Sequence, residues 1–164
     1  MGLDMEIRVN GIDLIYMRKA NAIRKWFADH LENFEDNGET EITKTNFENI
    51  IADMKRVIVE GGVEDLFNKY AEFMDRENED DAETRDDWQN ILLSWDLFVG
   101  SGEPHEKFAK VANEIFPSSS GFFFGGTDYD RWYINDLFTF YIKFTELNDY
   151  VNWDTDMVTY WEWY

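Results

Sequence analysis

The chain has no cysteine, two prolines, two histidines and only 15 lysines and arginines among its 164 residues. Without cysteine there is no disulfide framework, no thiol nucleophile and no thiolate zinc site, and the composition fits a reducing compartment. His30 and His105 are the only imidazoles. No apolar run approaches the roughly 18 residues that a membrane span requires. The N-terminus, which carries Asp4 and Glu6, does not read as a signal peptide, so a cytoplasmic protein is expected. The motifs of common enzymes are missing as well: no Walker loop, dinucleotide-binding glycine fingerprint, HExxH, EF-hand or nucleophile elbow occurs. No catalytic activity, cofactor or metal is expected on these grounds.

Aromatic and acidic residues are abundant. Fourteen Phe, eight Tyr and seven Trp, within a hydrophobic content of 44%, supply the large apolar groups that disordered chains lack. A chain of this length buries about 70% of its unfolded surface on folding. One compact domain over residues 1–164 is therefore expected.

The formal net charge is -20, from 35 Asp and Glu against 15 Lys and Arg. Nucleic-acid binding draws its affinity from clustered cations that displace counterions, so this balance excludes direct binding of DNA or RNA. The distribution is uneven: residues 1–30 carry five bases and four acids. Acid then gathers in runs, at 32–41, at 75–87 and near the end of the chain. Such runs are often no more than a solvated face. Self-repulsion at this density nevertheless opposes compaction. Salt adaptation fits poorly, since eight of the bases are lysine, and a basic protein partner accounts better for the charge.

Residues 5–9 alternate, Asn10-Gly11 marks a tight turn, and residues 12–16 follow as a second strand. Ala20, Ile23, Trp26, Phe27 and Leu31 fall at helical spacing. Residues 39–42 suit a short strand, and Thr45 with Glu48 resembles a capping box opening a helix that ends at Gly61-Gly62. Further helices are predicted over 63–77, 84–99, 104–115 and 128–147, and a strand over 157–164 pairs with the N-terminal hairpin. The result is an α+β fold, with several helices on a small antiparallel sheet formed by an N-terminal hairpin and a C-terminal strand.

Two groups of residues are candidates for binding. If the helix begins at Arg18, then Arg18, Asn21 and Lys25 line one polar face able to hold an anion, or they simply pair with neighbouring acids. Phe122, Phe124 and Tyr129, with Trp132 and Tyr133, are either core aromatics or stacking surfaces for a base. A ligand pocket requires both groups together. The loop from Gly121 to Gly126 lacks the Lys-Ser or Lys-Thr of a phosphate cradle. His30 beside Asp29 and Glu32, and Asp154 with Asp156, lack the completing ligands of a metal site.

Three segments carry a resemblance: Met1 to Met5, Arg18 to Ile23 with Trp26-Phe27, and Ser120 to Gly125 with Thr127, Tyr129-Asp130 and Trp132-Tyr133. Together they resemble a family of small bacteriophage and prophage proteins. The match covers both ends of the chain, and residues 32–116 carry no matching motif. The resemblance implies an accessory factor, acting in the cytoplasm of a host cell, that disables a host protein such as a restriction or CRISPR nuclease or a transcription factor. Carboxylates on successive helical turns lie about 5–6 Å apart, which suits mimicry of a nucleic-acid backbone. The expected contact set is Asp75, Glu77, Glu79, Asp80, Asp81, Glu83, Asp86 and Asp87, facing a basic host protein that binds nucleic acid. The alternative is a small-ligand binder, such as a sponge for a nucleotide immune signal. It would use Arg18, Asn21 and Lys25 with Phe122, Phe124 and Tyr129.

Overall fold

A computed structural model describes residues 2–76, 82–121 and 124–164. The chain opens with a hairpin of β1 (Asp4–Val9) and β2 (Ile12–Arg18). Asn10 and Gly11 between them both hold positive φ, 52° and 80°, the conformation whose twist matches the flanking strands. In β1, Met5, Ile7 and Val9 are buried, while Asp4, Glu6 and Arg8 on the opposite face are partly exposed. This is the period of two that a half-buried strand requires.

After α1 (Asn21–His30) come β3 (Glu39–Ile42) and four helices: α2 (Lys44–Glu60), α3 (Glu64–Met74), α4 (Ala82–Val99) and α5 (Glu103–Ile115). Then α6 (Arg131–Tyr150) leads to β4 (Val158–Trp163). The sheet order is β2-β1-β4-β3, with every neighbouring pair antiparallel. The C-terminal strand pairs with the hairpin as expected. It also pairs with β3, so it lies inside the sheet rather than at its edge.

The helices cover the face that carries Ile7 and Tyr160, and one hydrophobic cluster joins the sheet to the helices. Aromatic rings make the junctions. Phe27 of α1 lies 4.7 Å from the ring of Tyr160, Phe47 of α2 lies 5.2 Å from Phe144 of α6, and Tyr70, Trp95 and Phe138 meet edge-on or tilted. Such pairs contribute about 0.5–1.5 kcal/mol each beyond their buried area. Gly61 ends α2 where a β-carbon would stand 2.8 Å from the Phe108 ring and 2.3 Å from a backbone oxygen, so the close approach of α5 needs glycine there.

Three helix starts differ from the sequence expectation. Helix α2 is capped by Thr43, whose hydroxyl accepts from the Asn46 amide at 3.1 Å, two residues ahead of the pattern beginning at Thr45. Helix α6 begins after Asp130, whose carboxylate accepts from the amides of Trp132 and Tyr133. Most consequentially, Arg18 is the last residue of β2 and Lys19 holds φ 55°. Helix α1 therefore starts only at Asn21, and Arg18 does not share a helical face with Asn21 and Lys25.

Candidate ligand-binding site

A cavity of about 420 Å³ opens where the corner between β2 and α1 meets the segment leading into α6. Arg18 and Lys19 stand exposed on one side, and Asn21, Ala22 and Ile23 of α1 form the adjoining wall. Gly125 and Gly126 close it from the second segment, with Asp128, Asp130, Trp132, Tyr133 and Asp136 completing the lining. The size lies within the range of small-molecule sites.

The two walls are held together by specific contacts. The buried Asn21 amide donates to the Gly126 carbonyl. At Gly125 the backbone has φ 88°, and a β-carbon would meet the Lys19 side chain at 3.3 Å, so both conformation and space select glycine. The Lys19 backbone amide donates to the Leu3 carbonyl at 2.8 Å, and its carbonyl accepts from Asn21 at 2.9 Å. These bonds hold its left-handed conformation at the mouth of the cavity.

The electrostatics are divided. Arg8, Arg24, Arg56, Arg76 and Arg131 each have a carboxylate within 4.0 Å, whereas Arg18 and Lys19 have none among the described residues. The first turn of α1, which lies against them, has no side-chain cap and no acidic residue. The Asn21 amide is bonded to the Lys19 carbonyl, but those of Ala22 and Ile23 have no partner among the described residues, and with the positive dipole end they add to the two cations. The opposite wall carries Asp128, Asp130 and Asp136. Asp136 is only partly exposed and has no ion-pair partner among the described residues. Burial, reinforced by the charge of Asp130 and opposed by a bond from Asn135, pushes its carboxyl up to about 8. Tyr133 is buried, its hydroxyl donates to the Phe116 carbonyl at 2.7 Å, and burial raises it well above the usual phenol range. Trp132 is 65% exposed at the edge of the cavity, with the Arg131 guanidinium 5.7 Å from the centre of its ring.

Of the residues expected for a ligand site, the cavity unites Arg18 and Asn21. Lys25 instead pairs with Asp29 at 2.9 Å one turn along α1. Phe124 packs under the Arg24 guanidinium, 4.5 Å from its ring centre, and edge-on to Tyr164. Tyr129 faces the other way: its hydroxyl donates to Asn113, its carbonyl accepts from His105 Nε2 at 2.7 Å, and its ring meets Tyr133 edge-on. Phe122 lies outside the described residues. Asp136 was missed: it lies beside the unbroken apolar series Tyr133, Leu137, Phe140 and Phe144 of α6, so helical spacing gave no sign that it lines a cavity.

Of the expected acidic contact set, Glu77, Glu79, Asp80 and Asp81 lie outside the described residues. Asp75 at the end of α3 and Glu83 and Asp86 at the start of α4 are exposed, and Asp87 pairs with Arg76 at 3.3 Å. His30 stacks on Trp26 at 3.9 Å and binds the Trp26 carbonyl, a packing role. No group of three potential metal ligands occurs among the described residues, and no described helix is long and apolar enough to cross a membrane. No protein-family model, curated protein or solved structure matches the chain.

Proposed function

We propose that the protein binds a small anionic ligand of the nucleotide class in the cavity between the β2–α1 corner and α6, acting as a sponge rather than an enzyme. The observation that carries this reading is the meeting of Arg18, Lys19 and the uncapped start of α1 with Trp132 and a recessed carboxyl in one cavity. The cations and helix amides suit a phosphate. The exposed indole suits the face of a base, a contact worth about 1–3 kcal/mol per base. Nothing in the arrangement pairs a nucleophile with a base, so sequestration is the simpler outcome of binding.

A thermal-shift series against linear and cyclic nucleotides tests this. A ligand raises the melting temperature by mass action, by about 2.7 kcal/mol of stability at a hundred times its Kd. The expected result is a concentration-dependent rise that Arg18→Glu with Lys19→Glu removes. Unchanged melting across the whole panel would reject the reading.

The acidic exterior supports a second reading, an inhibitor that occupies the basic groove of a host nucleic-acid-binding protein. It is favoured by the exposure of Asp75, Glu83 and Asp86 on the two helix ends that flank residues 77–81. Charge reversal at these three positions should slow association with such a partner and flatten its salt dependence, since steering by surface charge acts mainly on the on-rate. Identical association rates would remove this surface from consideration.

A further inference from the structure

Arg18 and Lys19 converge at the mouth of the cavity although like charges repel. A β-carbon at Gly2 would stand 2.8 Å from Lys19 Cε and 3.8 Å from both Nε and Nη2 of Arg18, so the two side chains flank one buried glycine. The stem of Lys19 also borders Gly125, where a β-carbon would stand 3.3 Å from Lys19 Cβ and 3.7 Å from Cδ. Neither cation has a carboxylate partner among the described residues, in a chain that holds 35 acids. The backbone adds a second observation. Among the described residues four that are not glycine hold positive φ: Asn10, Asn33 and Asn37, a residue type that tolerates this conformation, and Lys19. A lysine side chain gives the left-handed conformation no local support, and strain retained at the mouth of a cavity points to a use for the side chain. The far wall has the opposite sign, since Asp128 and Asp130 line it.

We propose that Arg18 and Lys19, aligned by Gly2 and Gly125, form a clamp for one phosphomonoester dianion, so that the ligand is a nucleoside monophosphate and neither a cyclic phosphodiester nor a diphosphate. This rests on the ligand-binding reading above and names the phosphate that the site takes. A phosphomonoester carries close to two negative charges at neutral pH and three acceptor oxygens, enough to meet an ammonium and a guanidinium fork together. A cyclic phosphodiester carries one charge, and one of the two cations then stays uncompensated. A diphosphate fills the clamp with its terminal group, but its second negative group extends toward Asp128 and Asp130, where like charge repels it.

Calorimetric titration of the full chain with AMP, cyclic AMP, ADP and inorganic phosphate tests the assignment. AMP should bind about tenfold or more tighter than cyclic AMP, the effect of one charge-assisted contact. ADP should bind more weakly than AMP, and inorganic phosphate more weakly still, since it leaves the rest of the cavity unfilled. Lys19→Gly relieves the backbone and removes the ammonium: the melting temperature without ligand should rise by about 2–4 °C, while AMP binding weakens about tenfold or more. A residue with a purely structural role would not move these two readouts in opposite senses. Gly2→Ala sets a methyl group against the flexible end of Lys19, so the fold should melt as before and the preference for AMP over cyclic AMP should shrink. Equal affinity for AMP and cyclic AMP, tighter binding of ADP than of AMP, undiminished AMP binding by Lys19→Gly, or an unchanged preference in Gly2→Ala would overturn the clamp while leaving the cavity a ligand site. Inorganic phosphate binding as tightly as AMP would overturn the assignment to a nucleotide. Silence from all four compounds beside a positive thermal-shift panel would overturn the clamp alone, and a flat panel as well would take the ligand-binding reading with it.

Discussion

Replacing Asp136 with asparagine is expected to stabilise the protein increasingly as pH rises above about 4, most of all at alkaline pH, and to leave its stability below that almost unchanged. The carboxyl sits at about 8 in the folded chain against an ordinary value of 3.8. Below the ordinary value, folded and unfolded chains both hold the proton and the residue is neutral in either state. As pH rises from there through the folded value, the unfolded chain releases a proton that the folded chain retains, so unfolding becomes progressively easier. Above that window the folded protein carries the full penalty of an ionised carboxyl in a poorly solvated place. Each unit of displacement corresponds to about 1.4 kcal/mol, and partial access to solvent reduces the ceiling of about 5–6 kcal/mol to an expected loss of about 2–4 kcal/mol. Urea unfolding of the native chain and Asp136→Asn on both sides of the window measures it. The native chain should weaken with rising pH, and the variant should not. Parallel pH profiles would mean that the carboxyl is solvated as well in the folded chain as in the unfolded one. A side chain that lowers stability where an amide would not is typical of residues held for binding.

The second large effect is expected from Arg24→Met. Glu162 of β4 is fully buried (0% exposed), and its carboxylate is enclosed by donors. Arg24 Nε lies at 3.1 Å and Nη2 at 3.2 Å, the Tyr160 hydroxyl at 2.8 Å and the Asn37 amide at 3.1 Å. Arg24 is itself covered by the rings of Phe34, Phe124 and Tyr164. Removing the guanidinium leaves a buried carboxylate without its counter-charge, which costs about 3–5 kcal/mol. Adding Glu162→Gln to Arg24→Met should recover much of that loss, because no uncompensated charge then remains inside. Denaturant midpoints of the two variants compare directly with the native chain, and a single variant as stable as the double would show that charge is not the cause. Phe124 rests on Arg24 immediately before Gly125 and Gly126, so the single variant should also speed amide exchange at these glycines, and with it loosen one wall of the cavity.

The linkage between that ion pair and the cavity bears on both readings of function. The segment ending at Gly126 is fixed at two points, by Phe124 on the Arg24 guanidinium and by the Asn21 amide on the Gly126 carbonyl. On the ligand-binding proposal, occupancy of the cavity would thereby be coupled to the seating of β4, since Glu162 holds Arg24 from the other side. The acidic exterior is independent of this arrangement, and charge reversal on α3 and α4 therefore separates the two readings cleanly.

The elements themselves were legible in the sequence. The alternation of Met5, Ile7 and Val9 with Asp4, Glu6 and Arg8, the Asn10-Gly11 turn, and the helical recurrence of Ile23, Trp26 and Phe27 are local patterns. Each depends on residues a few positions apart, so the elements and the α+β class followed from them, while the expected pairing of the last strand with the hairpin joins Asp4 to Trp163 and rested on strand propensity alone. What only the tertiary structure decided is non-local. Arg24 and Glu162 are 138 positions apart and Asn21 and Gly126 are 105 apart, and no periodicity relates such distances. One local detail, the left-handed Lys19, ended β2 at Arg18 and turned its side chain from a helical face to the mouth of a cavity. Asp136 took its meaning from that same closure: in sequence it was one acid among 35, and the wall opposite made it a recessed carboxyl without a counter-charge.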